Sequence, residues 1–228
     1  MNKLDYDQYF NSAYKPSLLL HSCCAPCSSY CLVYMRRWFD ITCFYYNPNI
    51  TDRDEYEKRS KELERLVEEL NNDSIYVKDG ELILNGEKPD FLYLPIKVIT
   101  SDFDPKVFTD AVVNGKLQDC PERGERCSMC FTQRLSKTYE VASQKGFDYF
   151  ATTLTLSPLK NAELINKIGE TIGDRPQTIG DRPQFTKARW LYTDFKKKNG
   201  YKISIDLSKR YNLYRQNYCG CEYSKRNV

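Results

Sequence analysis

The chain has 228 residues, a formal net charge of +3, ten cysteines, a single histidine and 41% hydrophobic residues. That apolar content over this length buries a core without covalent staples, so the cysteines are not required for stability. No uncharged apolar run approaches the ~18 residues of a membrane span. Residues 1–10 (MNKLDYDQYF) are polar and aromatic rather than a basic start leading into an apolar stretch, and the expected location is the cytoplasm. In that reducing setting, cysteine spacing reads as metal ligation or redox chemistry rather than as a disulfide framework.

Residues 17–20 (SLLL) have the short apolar pattern of a buried parallel strand, and HSCCAPC at 21–27 follows directly. Residues 28–39 (SSYCLVYMRRWF) open with N-cap types and continue as a helix. Residues 41–46 (ITCFYY) carry the β-branched and aromatic bias of a strand, which NPNI at 47–50 breaks at its proline. Thr51 is then placed to cap an amphipathic helix in which Tyr56, Leu63, Leu66, Val67 and Leu70 share one face.

Residues 74–78 and 81–84 flank Asp79-Gly80, a strong hairpin signal, so a small β-hairpin insert over about 74–87 is expected before a third core strand at 91–94 (FLYL). Helices over 104–116 and 127–145, a strand over 149–154 (YFATTL) and a helix over 159–169 complete the pattern. This alternation predicts an α/β fold with a doubly wound parallel sheet. In such a sheet the functional crevice lies at the strands' carboxyl ends, beside the switch in strand order. HSCCAPC, NPNI and TLSPLKN all follow strands and are expected to converge there.

Residues 171–177 and 178–184 are both TIGDRPQ, whose Gly, Asp, Arg and Pro favour a duplicated surface loop over 171–186. The expected organisation is a single α/β domain over 1–228. It has a core at 17–170 and a basic, aromatic and helical segment at 187–228. That segment holds eleven Lys or Arg against three Asp or Glu, so the rest of the chain is net negative.

The chemistry-bearing cysteines form three sets. Cys23, Cys24 and Cys27 sit at the first strand-helix turn, Cys127 and Cys130 form CSMC at a helix start, and Cys219 and Cys221 form YCGC. Thiols at helix starts gain from nearby N–H groups and the positive end of the helix dipole, which favour the thiolate and metal binding. Cys31 and Cys43 read as small buried residues. Cys24 and Cys27 with Cys127 and Cys130 make a formal pair of CxxC motifs, the pattern of structural zinc. Against zinc stand the separation of about a hundred residues and the surplus thiol of Cys23. On spacing alone, zinc and an iron–sulfur cluster both stay open. CAPC by itself also matches a thioredoxin-like dithiol, but that leaves CSMC and YCGC unexplained. YCGC can close a tight, easily reduced disulfide, supply two more ligands, or be inert; redox is the preferred reading.

Residues 187–228 also hold eight aromatics among their basic residues. Lys or Arg on phosphate, with unpaired bases stacked on rings, is how single-stranded RNA loops are held, although a charged face is more often simply solvated. Lys196, Lys197 and Lys198 are the first candidate contacts. His21 is a candidate proton donor, weighed against the structural role usual for a histidine at a strand end.

HSCCAPC, ERCSMCFTQRL, FDYFATTLTLSPLKN and LYRQNYCGCEYS, in this order and over most of the chain, resemble the QueH family, the cobalamin-independent epoxyqueuosine reductases. The resemblance implies an adenine-nucleotide α-hydrolase-like (HUP, Rossmann-like) α/β domain and a [4Fe–4S] cluster without cobalamin. It implies reduction of epoxyqueuosine to queuosine at the tRNA wobble position, with an electron donor the sequence does not identify. Carried over by motif, Cys23, Cys24, Cys127 and Cys130 are the implied cluster ligands and Cys219 and Cys221 a redox-active pair. An additional iron is also implied, with Cys27 and Asp194 as candidate ligands. The insert at 74–89 and the TIGDRPQ duplication depart from the family pattern but fall between its motifs. Two other classes compete. A cluster-dependent tRNA-thiolating enzyme should carry an SGGxDS-like loop, where this chain has HSCCAPCSS with no glycine to cradle phosphate. A zinc-stabilised nucleic-acid-binding module would need no redox chemistry.

Overall fold

The computed structural model describes residues 14–84, 91–174 and 188–225. In chain order the elements are β1 (Ser17–His21), α1 (Ala25–Met35), β2 (Asp40–Tyr45), α2 (Arg53–Asn72), the hairpin of β3 (Tyr76–Lys78) and β4 (Glu81–Ile83), then β5 (Lys97–Thr100). They continue with α3 (Lys106–Asn114), α4 (Glu125–Gln144), β6 (Tyr149–Thr152), a 3-10 turn at Thr153–Leu156, α5 (Ala162–Gly173), β7 (Arg189–Trp190) and α6 (Gly200–Arg210). β5, β2, β1, β6 and β7 lie side by side in that order, every pair parallel. The order reverses at β1, with β2 on one side and β6 on the other, so the fold is the expected doubly wound sheet with a small antiparallel hairpin.

Leu18, Leu19 and Leu20 are completely buried because β1 is central and covered on both faces. Each such side chain contributes about 2 kcal/mol by leaving water. Their alternation splits the core. Leu18 and Leu20 pack with residues of α1, α2 and α6, while Leu19 packs with Phe131, Leu135 and Tyr139 of α4 and Ile165 and Ile172 of α5. All five residues expected on the inner face of α2 are buried. The 188–225 segment joins the same core through Leu191, Phe195, Ile203 and Leu207. Among the described residues, no helix is long and apolar enough to cross a membrane.

Several boundaries differ from expectation. Residues 91–94 are not a strand; the edge strand is Lys97–Thr100. The aromatics of the FLYL run pack beneath the hairpin instead. Phe91 meets Tyr76 edge-on and stacks on Tyr93, whose hydroxyl donates to Ile75 O. Pro95 follows without an N–H, and Asn71 then clamps the backbone of Ile96 with two hydrogen bonds of 2.8 and 2.9 Å. The β-branched KVIT, being half-exposed, was the weaker apolar signal. The first helix begins at Ala25 rather than 28, because Pro26 is tolerated in a first turn. Ser28 and Ser29 bond back to Cys24 O and Pro26 O from within the helix. Asp52, not Thr51, caps α2 by accepting from Glu55 N at 3.1 Å. The first three residues of the first TIGDRPQ copy end α5 rather than starting a loop. The duplication beyond residue 174 lies outside the described residues, as does the tip of the insert at 85–90.

Candidate metal centre

β1 and β6 end side by side, His21 opposite Thr152 in register, and both chains turn into the cleft mouth there. After β1 the backbone runs through Ser22, whose N–H bonds Phe44 O at 2.9 Å, to Cys23 and Cys24. Cys24 is the extended N-cap of α1, so Cys27 falls in its first turn. Cys23 N–H donates to Thr153 Oγ1 at 3.4 Å, and that hydroxyl lies 3.7 Å from Cys23 Sγ. Cys23 and Cys24 sulfurs are 3.8 Å apart, and the sulfurs of Cys23, Cys24 and Cys27 all lie within 4.8 Å of one another. This triad is a group able to hold a metal ion.

Cys127 occupies the first turn of α4, and Cys130 follows one turn on, buried beside Phe108, Val112 and Cys221. The N–H of Arg123 donates to Cys127 Sγ at 3.2 Å. YCGC arrives on irregular chain and is tied by side chains. Arg59 donates to Cys219 O at 3.2 Å and to Tyr218 O at 3.4 Å, and Asn49 donates to Cys219 O at 3.4 Å. Gly220 has φ +116, and a Cβ there would come within 2.7 Å of Ile50 Cγ1. All ten cysteines are free thiols.

One cleft of about 380 Å³ is lined by Cys23, Cys27, Cys127, Cys130, Cys219 and Cys221, with Asn49 of NPNI and Ser157, Lys160 and Asn161 of TLSPLKN. The three expected loops therefore converge, and Cys24 sits buried behind Cys23. The sulfurs interact strongly. Hydrogen bonds from Cys24 and Cys27, helped by the charges of Lys160 and Arg134, hold Cys23 well below the usual thiol range against burial. As donor to Cys23, Cys24 is pushed up to about 12. Cys27 is raised as a donor to both neighbours. Burial pushes Cys130 to about 12, with Arg134 opposing.

Other predicted residues are placed differently. His21 is fully buried and does not line the cleft. Its Nε2 lies 3.2 Å from Arg134 Nε and 3.1 Å from Tyr46 O, and its Nδ1 lies 2.8 Å from Thr152 Oγ1, so both ring nitrogens are engaged inside the protein. Burial first, then Arg134, drives His21 down to about 3. It is buried away from the cleft, where its contacts serve the end of β1. Lys196 Nζ donates to Thr155 O and Lys160 O at 3.3 Å and lies 3.5 Å from Asp194 Oδ1, pinning the turn that carries Lys160. Lys197 and Lys198 are exposed. None of these three lysines lines the cleft, nor does Asp194.

The sequence reading passed over Arg59, Arg134 and Lys160. Arg134 stood inside the quoted motif ERCSMCFTQRL, and its signal was a charge at the spacing of the buried face of α4, shared with Cys130, Phe131, Leu135 and Thr138. Lys160 lies in TLSPLKN and, among the described residues, is the only lysine lining the cleft.

A doubly wound α/β sheet with a polycysteine cleft at its switch point, able to hold a metal, defines an α/β scaffold of the kind that binds ligands at its strands' carboxyl ends. Residues 18–227 match the family model of the epoxyqueuosine reductase QueH. The epoxyqueuosine reductase QueH of Staphylococcus epidermidis is 35% identical over 230 residues, covering 97% of this chain and 85% of that protein. That of Streptococcus pyogenes is 36% identical over 230 residues, covering 97% and 78%. The Thermotoga maritima QueH is 31% identical over 208 residues, covering 91% and 90%. The chain belongs to the epoxyqueuosine reductase QueH family.

Proposed function

We propose that this chain is an epoxyqueuosine reductase, an oxidoreductase of tRNA modification that reduces the epoxide of epoxyqueuosine at the wobble position to the alkene of queuosine. The observation that carries this reading is the meeting of HSCCAPC, CSMC and YCGC at one cleft. Reduction takes two electrons and two protons: both epoxide C–O bonds break, a carbon–carbon double bond forms, and the oxygen leaves as water.

The residues fit an iron–sulfur centre. Two helix N-termini present thiols, a backbone N–H already points at Cys127 Sγ, and the fully buried Arg134 has no carboxylate partner among the described residues. Cys23, Cys24, Cys127 and Cys130 are the proposed ligands of a [4Fe–4S] cluster. Cys27, inside the triad, is better placed than Asp194 to meet an additional iron. When bound, such a centre supplies electrons one at a time and a Lewis-acidic iron for the oxygen. Cys219 and Cys221 can supply or relay the reducing pair as dithiol and disulfide, with the electron donor outside this chain. Tyr201 and Leu159, exposed at the cleft mouth, offer apolar surface to the bases flanking the wobble nucleotide, and Arg215 offers a cation to its phosphates. Lys197 and Lys198 can extend phosphate contact beyond the cleft. Lys196 contributes by holding the Lys160 turn.

The test is mass spectrometry of tRNA nucleosides after incubating the reduced protein with epoxyqueuosine-containing tRNA. Conversion to queuosine is expected; recovery of intact epoxyqueuosine alone would contradict the assignment.

A further inference from the structure

Arg134 is fully buried, and three of its nitrogens have identifiable targets. Nε faces His21 Nε2 at 3.2 Å, Nη2 donates to Asn47 Oδ1 at 2.5 Å, and Nη1 points at Cys130 Sγ at 3.9 Å. The first two neighbours carry no negative charge. His21 is held by Thr152 Oγ1 at 2.8 Å from its Nδ1 and by Tyr46 O at 3.1 Å from its Nε2, and Asn47 is fixed by its own donation to Ser22 O at 3.0 Å. No carboxylate pairs with this guanidinium among the described residues. A buried permanent cation without an anion is costly, and a guanidinium cannot shed its proton to escape that cost. The remaining acceptor is sulfur, on a residue proposed above as a cluster ligand.

We infer that Arg134 is a positioning residue that sets the electron affinity of the metal centre, its fixed charge and its hydrogen bond to Cys130 Sγ favouring the more negative, reduced state. His21 and Asn47 serve as neutral clamps. They aim the guanidinium without cancelling its charge, so the charge acts on the cleft alone. A carboxylate in either place would bind the arginine just as firmly and remove its effect. The inference rests on the iron–sulfur reading of the cleft.

The test is a reductive titration of the anaerobically reconstituted protein, followed by visible absorption and electron paramagnetic resonance, with iron and acid-labile sulfide measured on each sample. Arg134→Gln should shift the midpoint potential to a more negative value. Asn47→Asp keeps the arginine but places a carboxylate against it, and should shift the midpoint in the same direction. Arg134→Lys, which restores the charge, should return it towards wild type. If Arg134→Gln fails to hold a cluster, Asn47→Asp carries the test. A midpoint unchanged in Asn47→Asp and in any cluster-holding Arg134→Gln would overturn the proposal, as would a shift that Arg134→Lys does not reverse. Wild-type protein that takes up no iron and sulfide would overturn the cluster reading itself, a failure distinct from an unshifted midpoint.

Discussion

Cys23, Cys24 and Cys27 are carried by the end of a strand buried from Leu18 to His21 and by the first turn of a helix, whereas Cys219 and Cys221 ride on irregular chain tied down by Arg59 and Asn49. The first group owes its geometry to the sheet, and its sulfurs converge within 4.8 Å. The second owes its geometry to a few hydrogen bonds and one glycine. Strand-anchored thiols suit ligands that must not move, since a metal site demands fixed donor positions. Tethered thiols suit a pair whose separation changes between dithiol and disulfide. On the reading proposed above, the first group holds the metal together with Cys127 and Cys130, and the second group exchanges electrons.

Replacing Cys23 and Cys24 together by serine should abolish metal loading and lower turnover by at least ~100-fold, since ligand removal exceeds the loss usual for outer-shell changes. Iron and sulfide analysis reads this directly, and retained iron would break the division of labour. Replacing Cys219 and Cys221 by serine should stop multiple turnover while leaving iron content and visible absorbance as in wild type. Metal loss in that variant would make Cys219 and Cys221 ligands. Gly220→Ala forces a side chain into a left-handed backbone position against Ile50, and should cost about 2 kcal/mol of local strain. It is expected to impair turnover more than it lowers the thermal midpoint, because the strain falls on the tethered segment. The smallest effect is expected from Lys197→Glu with Lys198→Glu. Affinity for tRNA should fall, and the slope of log affinity against log salt should flatten by about one unit per lost phosphate contact, with the cluster's absorbance unchanged.

The central architecture was legible because β1 is a continuous apolar run and the motifs sit directly after strands. That is a local pattern of the kind one sequence displays. The edge strand was not legible, since KVIT is half-exposed and the more apolar FLYL found its partners in the hairpin. The three cysteine sets could be singled out by spacing, but their meeting at one cleft depends on tertiary placement across about two hundred residues. Lys196 misled for a related reason. A run of three lysines looks uniform in sequence, yet one side chain is taken up by two carbonyls and Asp194 while the other two face solvent. Arg134 was hidden by the opposite bias, because a charge on a helix is usually assigned to its solvated face.

On the proposed reading the cleft's cysteines hold an iron–sulfur centre, and anaerobic purification followed by metal and sulfide analysis tests this most directly. The expected result is a brown protein containing acid-labile sulfide and at least as much iron. A colourless protein with stoichiometric zinc and no sulfide would contradict it.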